Sequence, residues 1–320
     1  MHSRGSSKHL QKHMHDSTLE ELLMPPQVSS AAEARQFSSQ IADRHGFLTS
    51  PDGTSLFYRH WPADSWNGRV VIVLHGIGFH SGPYKVIADA LNPAGIDVYG
   101  LDARSHGLSQ GRRGFLATPA QVQADVLAMI HTVRQQRAVA KIFLVGDSLG
   151  ANLVLNYAKS DGRELTGLVL LAPALNLHPS QYLRLESARL FPNVLYALRK
   201  PVISLVGGRL EESTRNASFV ASRRTDPLAY KNVSFGYLLD GQRLVWDWRW
   251  AIAPKVKTPT LIVKGDSDRV ISHERCVEFH ERLAAPDKQL GCFPDVHHTT
   301  LWDPHSEQIL EFILGWVMAR

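Results

Sequence analysis

An apolar run that stops at a glycine–serine–glycine turn constrains this chain more than any other stretch. Residues 142–145 are apolar and lead directly into GDSLG at 146–150. Beyond the turn, apolar side chains recur at helical spacing at Leu153, Val154 and Tyr157. A strand, a tight turn and a helix with a serine at the apex are typical of a nucleophile elbow, which exposes the serine hydroxyl above a sheet. The pattern therefore predicts Ser148 as a nucleophile.

The two glycines of this turn have a predicted steric role. Side chains at Gly146 and Gly150 would collide with the adjacent strand and helix, because the serine needs a strained backbone. The start of the helix also points backbone N–H groups at the space beside the serine, where an oxyanion can be held. One of these donors is predicted to be the N–H of Leu149, the residue after the nucleophile.

Apolar runs and helical patterns alternate along much of the chain. Strands are predicted at Ser55–His60, Val70–Leu74, Asp97–Leu101, Leu168–Leu171, Thr260–Lys264 and Gln289–Phe293. Helices are predicted at Pro83–Leu91, Pro119–Arg137, Ser272–Leu283 and Pro304–Met318. This alternation predicts an α/β fold, with a mostly parallel sheet flanked by helices. In such sheets, ligands bind at the carboxyl ends of the strands.

The alternation stops between residues 175 and 255, which show helical patches but no strong strand. We predict that residues 46–174 and 256–320 form the α/β core. Residues 175–255 are then an inserted helical cap over the strand ends. Residues 1–45 are polar and are predicted to be a flexible N-terminal extension.

The excess of positive charge lies in the predicted cap. The formal net charge is +5, and residues 175–250 hold eleven Lys and Arg against six Asp and Glu. A basic cap predicts transient contact with anionic lipid surfaces, with simple solubility as an equal alternative. We expect a small-molecule acyl ester as substrate and no nucleic-acid partner.

Other features bear on location and cofactors. No apolar run reaches about 18 residues, so no transmembrane segment is expected, and the N-terminus lacks the apolar core of a secretory signal. Cys276 and Cys292 make no disulfide framework and are predicted to be buried thiols. A cytoplasmic protein, peripheral at a membrane at most, fits best. We expect no cofactor and no metal, because the N-terminal histidines lack Cys or carboxylate companions at ligand spacing.

A serine nucleophile needs a base and an orienting acid. In a fold with this elbow the three residues follow the order serine, acid, histidine. Asp266 and Asp268 both follow the predicted strand Thr260–Lys264, and His297 and His298 both follow the last predicted strand. Position alone leaves both pairs open.

Several segments resemble the monoacylglycerol lipase, lysophospholipase and serine aminopeptidase branch of the α/β-hydrolase superfamily. They are HGIGFHSGPY at 75–84, LDARSHGLSQG at 101–111, GDSLG at 146–150, TDPLAY at 225–230 and PTLIVKGDSDRVI at 259–271, with the late histidine pair. The resemblance runs from about Thr49 to the C-terminus and implies an α/β-hydrolase fold.

The resemblance also implies particular site residues. The branch has its catalytic aspartate in a Gly-x-x-Asp-Arg segment, which selects Asp268, and its catalytic histidine falls on His298. The second oxyanion donor falls on the N–H of Ile77. Two departures are expected to change substrate preference: Asp147 stands where the branch commonly has His, and Phe79 stands where it commonly has Glu.

The predicted function is hydrolysis of carboxylic esters of lipid-like substrates, of the monoacylglycerol or lysophospholipid type, through a Ser-His-Asp triad and an acyl-enzyme. One alternative is an aminopeptidase-like amide hydrolase with the same triad. That activity would favour an acidic cluster near the cap mouth, for which Glu211-Glu212 is the obvious pair. A non-catalytic binding module is the other alternative, although such modules usually lose a triad member.

Overall fold

The computed structural model describes residues 31–175, 201–204, 213–230, 232–234, 236–237, 240–241, 244 and 248–320. The strands are β1 (His45–Thr49), β2 (Ser55–Trp61), β3 (Arg69–Leu74), β4 (Asp97–Leu101), β5 (Lys141–Asp147), β6 (Gly167–Leu171), β7 (Pro201–Ser204), β8 (Asn232–Ser234), β9 (Thr260–Gly265) and β10 (Lys288–Phe293). The α-helices are α1 (Ala31–Ser38), α2 (Lys85–Leu91), α3 (Pro119–Gln136), α4 (Leu149–Asp161), α5 (Ala217–Thr225), α6 (His273–Arg282) and α7 (Ser306–Met318).

Eight strands form one sheet in the order β1-β2-β4-β3-β5-β6-β9-β10. The pairs from β4 through β10 are parallel, whereas β2 pairs antiparallel with both β1 and β4. The predicted α/β fold with a mostly parallel sheet is therefore confirmed.

Strand β3 shows why the apolar runs are unbroken. Val70, Ile72 and Leu74 belong to the core cluster that contains the buried faces of α3 and α4. Val71 and Val73 point to the opposite face, where they join the cluster formed with α2 and α7. Because successive side chains alternate between faces and both faces are covered, every position of this strand needs an apolar residue.

The parallel direction of four strands places the candidate site. The elbow follows β5, the segment with Asp266 and Asp268 follows β9, and the histidine pair follows β10. The loop with Ile77 follows β3. Since these strands run in the same direction, all four connections leave the same edge of the sheet.

Four elements differ from the sequence-based expectations. Strand β1 pairs with β2 through the turn at residues 50–53 and was not predicted, because HGFLT has no clear alternation. Helix α1 lies within the stretch predicted as a flexible extension. In the predicted helical cap, β7 and β8 form a two-stranded antiparallel sheet. The proposed boundaries of the extension, core and cap stay predictions.

The two cysteines are free, as expected, but only one of them is a buried thiol. Cys276 is fully buried on α6, whereas Cys292 is exposed. The prediction for Cys292 was wrong because β10 is the edge strand and much of its length remains open to solvent. Among the residues that the structure describes, no helix has both the length and the apolar character that a membrane span needs.

Helix α1 packs against the fold through Ala34, which is 1% exposed and clusters with Phe57 and Leu108. We expect Ala34→Asp to lower the free energy of unfolding by about 2 kcal/mol or more, because it buries a carboxylate among apolar side chains. The matched control is Ala32→Asp at an exposed position of the same helix, which should change it by less than about 0.5 kcal/mol. Urea unfolding followed by circular dichroism measures both. Equal, small effects would contradict the packing of α1 on the core.

Candidate active site

The turn between β5 and α4 holds Ser148 in a strained backbone conformation. Its φ is +51° and its ψ is −109°, outside the ordinary regions for a residue with a side chain. The backbone is fixed on both sides, because its N–H donates to the carbonyl of Leu171 at 2.8 Å and its carbonyl accepts from Ala174 N–H at 3.1 Å. The strain expected of an elbow is present.

The two glycines of the turn have the predicted steric role. A Cβ on Gly146 would lie 2.5 Å from the Cα of Ala151, and a Cβ on Gly150 would lie 2.1 Å from the carbonyl oxygen of Leu74. Gly150 therefore lets the start of α4 rest directly on the end of β3. This close approach also brings the loop after β3 beside the serine.

Three predicted side chains form one hydrogen-bonded chain. Nε2 of His298 lies 3.0 Å from Oγ of Ser148, and its Nδ1 lies 2.9 Å from Oδ2 of Asp268. An ionised carboxylate can only accept, so Nδ1 carries the hydrogen and Nε2 is left as an acceptor for the serine hydroxyl. This tautomer is the one that can take the serine proton.

Asp268 is buried and fixed by its own loop. Its Oδ1 accepts from the backbone N–H of Val270 at 2.7 Å and of Ile271 at 3.0 Å. Position in the sequence did not separate Asp266 from Asp268. In the structure, Asp268 is the one that binds His298.

Asp266 has a different environment. It is exposed, and its Oδ1 accepts from Asp295 N–H at 2.8 Å, while its own N–H donates to the carbonyl of Phe293 at 3.0 Å. It therefore ties the loop after β9 to the loop after β10. The two loops also touch at Gly265, where a Cβ would lie 1.8 Å from the carbonyl oxygen of Val296.

His297 pairs with a second buried carboxylate, that of Asp303. Its Nδ1 lies 3.2 Å from Oδ2 of Asp303, which also accepts from the backbone N–H of His297. Oδ1 of Asp303 accepts from Arg215 N–H at 3.1 Å and from Thr214 Oγ1 at 3.3 Å. This arrangement fixes the loop that carries His298 against the segment before α5.

Asp268 and His298 each stabilise the charged form of the other. Burial raises the pKa of Asp268, but the charge and hydrogen bond of His298 and the two backbone N–H donors outweigh burial, so this pKa lies below its ordinary value. Burial lowers the pKa of His298, but Asp268, assisted by Asp147, outweighs burial and raises this pKa. The carboxylate of Asp268 therefore stabilises the imidazolium that forms when His298 takes a proton.

The two predicted oxyanion donors lie on connections that contact each other. Leu149 is the first residue of α4, where a backbone N–H has no acceptor within the helix. Ile77 follows Gly76, at which a Cβ would lie 3.6 Å from Cβ of Ser148. The loop is tightly turned, since Phe79 N–H donates to the carbonyl of Gly76 at 3.2 Å and Gly78 has a φ of +69°.

Sequence reasoning missed the aromatic and polar layer behind this loop. The ring of Phe79 lies nearly parallel to the rings of Phe219 and Trp302, with centroids 5.8 and 5.7 Å away. The guanidinium of Arg223 lies over the same ring at 3.6 Å. The substitution of Phe79 for the Glu common in the branch was visible in the sequence, but its partners were not.

The described residues hold no group of three or more His, Cys, Asp or Glu side chains placed to bind a metal ion. The N-terminal histidines lie outside those residues.

The fold and the hydrogen-bonded chain at the carboxyl edge of the sheet define an α/β-hydrolase. The chain belongs to the serine aminopeptidase S33 family, whose model matches residues 67–305.

Individual relatives agree with this placement. The Escherichia coli protein YnbC is 33% identical over 292 residues, which cover 88% of this chain and 47% of that protein, so the chain spans about half its length. A monoacylglycerol lipase of Mycolicibacterium smegmatis is 26% identical over 291 residues, or 88% of this chain and 99% of the relative. The crystal structure of a Paleococcus ferrophilus monoacylglycerol lipase matches with a TM-score of 0.68 and 26% identity, over 82% of this chain and 98% of that chain. The predicted likeness to this branch is confirmed.

Stability is expected to depend on His75, which is buried beside the candidate oxyanion loop. Its Nδ1 donates to the carbonyl of Gly76 at 2.9 Å and its Nε2 accepts from Ala103 N–H at 3.0 Å. Burial lowers its pKa to about 4 from an ordinary value of 6.5. Between those two pH values the unfolded state binds more protons than the folded state. The contribution of His75 to the free energy of unfolding is therefore fully present above about pH 6.5 and falls by about 3 kcal/mol towards pH 4.

Urea unfolding at several pH values between about 7 and 4 measures this slope. His75→Gln keeps an amide donor and acceptor but does not titrate, so its slope should be shallower than that of the wild type. His131→Gln, at an exposed position of α3, is the control and should keep the wild-type slope. An unchanged slope in His75→Gln would contradict the assignment.

Proposed function

We propose that this protein is a serine hydrolase that cleaves carboxylic esters, with Ser148 as nucleophile, His298 as base and Asp268 as the orienting acid. The observation that carries the proposal is the continuous hydrogen-bonded chain, with 3.0 Å from serine to histidine and 2.9 Å from histidine to aspartate. A hydroxyl, an acceptor nitrogen and a buried carboxylate in this order are the parts of an activated serine nucleophile.

The reaction proceeds in two half-reactions. His298 takes the hydroxyl proton as Ser148 Oγ bonds to the acyl carbon, which gives a tetrahedral oxyanion and an imidazolium paired with Asp268. The imidazolium then protonates the alkoxide leaving group as the ester C–O bond breaks, and the acyl group remains on the serine. Water, deprotonated by His298, attacks the acyl-enzyme in the same way, and the serine oxygen leaves with the proton returned to it.

The backbone N–H groups of Ile77 and Leu149 hold the oxyanion in both half-reactions. Ile77 lies on the loop after β3 and Leu149 at the start of α4 after β5, and these two connections contact each other. This placement supports the role. Donors of this kind act on charge that develops only in the transition state, and removal of one typically costs about 100- to 1000-fold in rate.

For the substrate, we propose an ester of a lipid-like acyl chain, of the monoacylglycerol or lysophospholipid type. The support comes from the relatives in Mycolicibacterium smegmatis and Paleococcus ferrophilus, both named monoacylglycerol lipases. Contact of the basic segment at 175–250 with anionic lipid surfaces stays a prediction from charge, to be tested by salt-sensitive binding to anionic vesicles. A cytoplasmic location also stays a prediction.

Amide hydrolysis at a peptide N-terminus is the second candidate. It is favoured by the description of the matching family as a serine aminopeptidase. The acidic pair at 211–212, which would favour this activity, lies outside the described residues.

A panel of p-nitrophenyl esters of graded chain length and aminoacyl p-nitroanilides separates these candidates. We expect ester hydrolysis with an optimum at medium or long acyl chains, and a loss of about 10⁴-fold or more in Ser148→Ala, because the proposed mechanism loses its nucleophile. Ser160→Ala, at an exposed position of the same helix, is the matched control. Undiminished hydrolysis in Ser148→Ala would overturn the mechanism, and faster turnover of the anilides would favour the aminopeptidase.

Paired variants test the acid and the base. His298→Ala and Asp268→Asn are each expected to lower kcat by about 10³- to 10⁴-fold, since the first removes the proton acceptor and the second leaves the wrong tautomer. His297→Ala and Asp266→Asn should lose much less, because these side chains hold loops rather than the reacting proton. Steady-state kinetics on one ester measures all four. A greater loss in either of the latter variants would reassign that role.

A further inference from the structure

The loop after β3, residues 75–79, carries Ile77 and is called the oxyanion loop here. It is held by hydrogen bonds to Gly76 and Gly78, the residues on either side of Ile77. The N–H of Gly76 donates to the hydroxyl oxygen of Tyr84 at 3.0 Å. The carbonyl of Gly78 accepts from Nη2 of Arg223, also at 3.0 Å. The peptide group that contains the Ile77 N–H therefore lies between two side-chain hydrogen bonds from different parts of the chain.

Tyr84 is in turn fixed by the strand that carries the nucleophile. Its hydroxyl donates to Oδ2 of Asp147 at 2.5 Å, and Asp147 directly precedes Ser148 at the end of β5. The tyrosine ring is fully buried and meets the ring of Trp302 edge-on at 5.1 Å. One hydroxyl thus joins the nucleophile strand to the oxyanion loop, accepting from the loop and donating to the strand.

Arg223 is an unusual residue to bury at this place. It is 6% exposed, and within the described part of the chain its Nε and Nη1 have no hydrogen-bond partner. Burial lowers its pKa to about 10, so the guanidinium stays charged at neutral pH. A buried charge with so few hydrogen bonds costs stability, although the charge of Asp226 stabilises it in part. Among the described residues, its guanidinium donates to the carbonyl of Gly78 and lies over the ring of Phe79. Both of these contacts lie on the oxyanion loop.

The helix that carries Arg223 is anchored independently. At the end of α5, Oδ2 of Asp226 lies 2.8 Å from Nε2 of His80. The ring of Phe219 stacks on that of Trp302 with centroids 4.5 Å apart. Helix α5 belongs to the segment predicted as the cap, so one side of the oxyanion loop is held by a residue that comes with the cap.

We propose that Tyr84 and Arg223 are positioning residues that together aim the N–H of Ile77 at the oxyanion, and that Asp147 contributes by holding Tyr84. The inference rests on the proposed function and adds three residues to it. An oxyanion donor stabilises the transition state far more than the bound ester. A loosened loop therefore lowers kcat and leaves KM almost unchanged.

Single substitutions that remove one hydrogen bond each test the proposal. Tyr84→Phe removes the acceptor for Gly76, and Arg223→Met removes the donor to Gly78 while keeping an apolar stem against Phe79. We expect each to lower kcat on the preferred p-nitrophenyl ester by roughly 10- to 100-fold, with KM within about threefold of the wild type.

Two matched variants control for the loss of a buried hydroxyl and of a cation. Tyr99→Phe removes the hydroxyl of another buried tyrosine, which donates to Oε1 of Gln136 at the end of α3 at 2.9 Å. Arg224→Met changes the exposed neighbour of Arg223 on the same helix. Both should keep the wild-type kcat, and thermal unfolding of all four variants separates lost stability from lost rate.

Arg223→Lys provides a rescue, because an ammonium can still donate to the carbonyl of Gly78, and it should recover part of the rate lost in Arg223→Met. If Tyr84→Phe and Arg223→Met keep the wild-type kcat, or if KM rises while kcat holds, the positioning role is overturned. That result differs from failure of the proposed function, which would appear as activity retained in Ser148→Ala in the same assay.

The charge of Asp147 gives a separate readout. The titratable groups that face it are Tyr84, His298 and Asp268. Burial raises the pKa of Asp147 itself to about 6, so its charge is present above that pH. Ionised Asp147 and Asp268 raise the pKa of His298 whereas Lys264 lowers it, and the reaction needs neutral His298. Asp147→Asn keeps an acceptor for the tyrosine but removes the charge, so the acid limb of kcat/KM should move to lower pH. An acid limb that stays in place or moves to higher pH would contradict the role of this carboxylate.

Discussion

The strained backbone of Ser148 is the constraint on which the rest of the site depends. A φ of +51° at a residue with a side chain is stable only if the surrounding chain enforces it. Gly146 and Gly150 make that possible, because they let α4 fold back onto the ends of β5 and β3 at distances that no side chain permits. The same close approach brings the loop with Ile77 beside the serine, so one turn positions both the proposed nucleophile and the proposed oxyanion donors.

The second constraint on the site is that its buried charges are paired. Asp268 and His298 are both buried, and each is stabilised in its charged form by the other. Around this pair, Asp266 ties the loop after β9 to the loop after β10. Asp303 binds His297 and ties the loop after β10 to the segment before α5. Carboxylates that look interchangeable in the sequence therefore divide into one that faces the base and others that hold the frame.

The sequence was informative where the signal is local. Apolar runs located most strands of the main sheet, and the glycines at 146 and 150 predicted the tight turn around Ser148, the proposed nucleophile. Both signals lie within a few neighbouring residues. Signals were weaker where structure depends on distant partners. Strand β1 exists because it pairs with β2, and α1 is held by Phe57 and Leu108. The links from Tyr84 to Asp147 and from Arg223 to Gly78 span 63 and 145 positions, and no spacing within the sequence reports them.

In the proposed mechanism, His298 activates Ser148, which then forms a covalent acyl intermediate. The most direct measurement is reaction with a p-nitrophenyl alkylphosphonate, followed by tandem mass spectrometry of the modified peptide. The phosphorus is attacked by an activated serine and mimics the tetrahedral intermediate, so one adduct on Ser148 is expected in the wild type, with little labelling in His298→Ala. An adduct on another residue, or equal labelling of Ser148 without His298, would contradict the account.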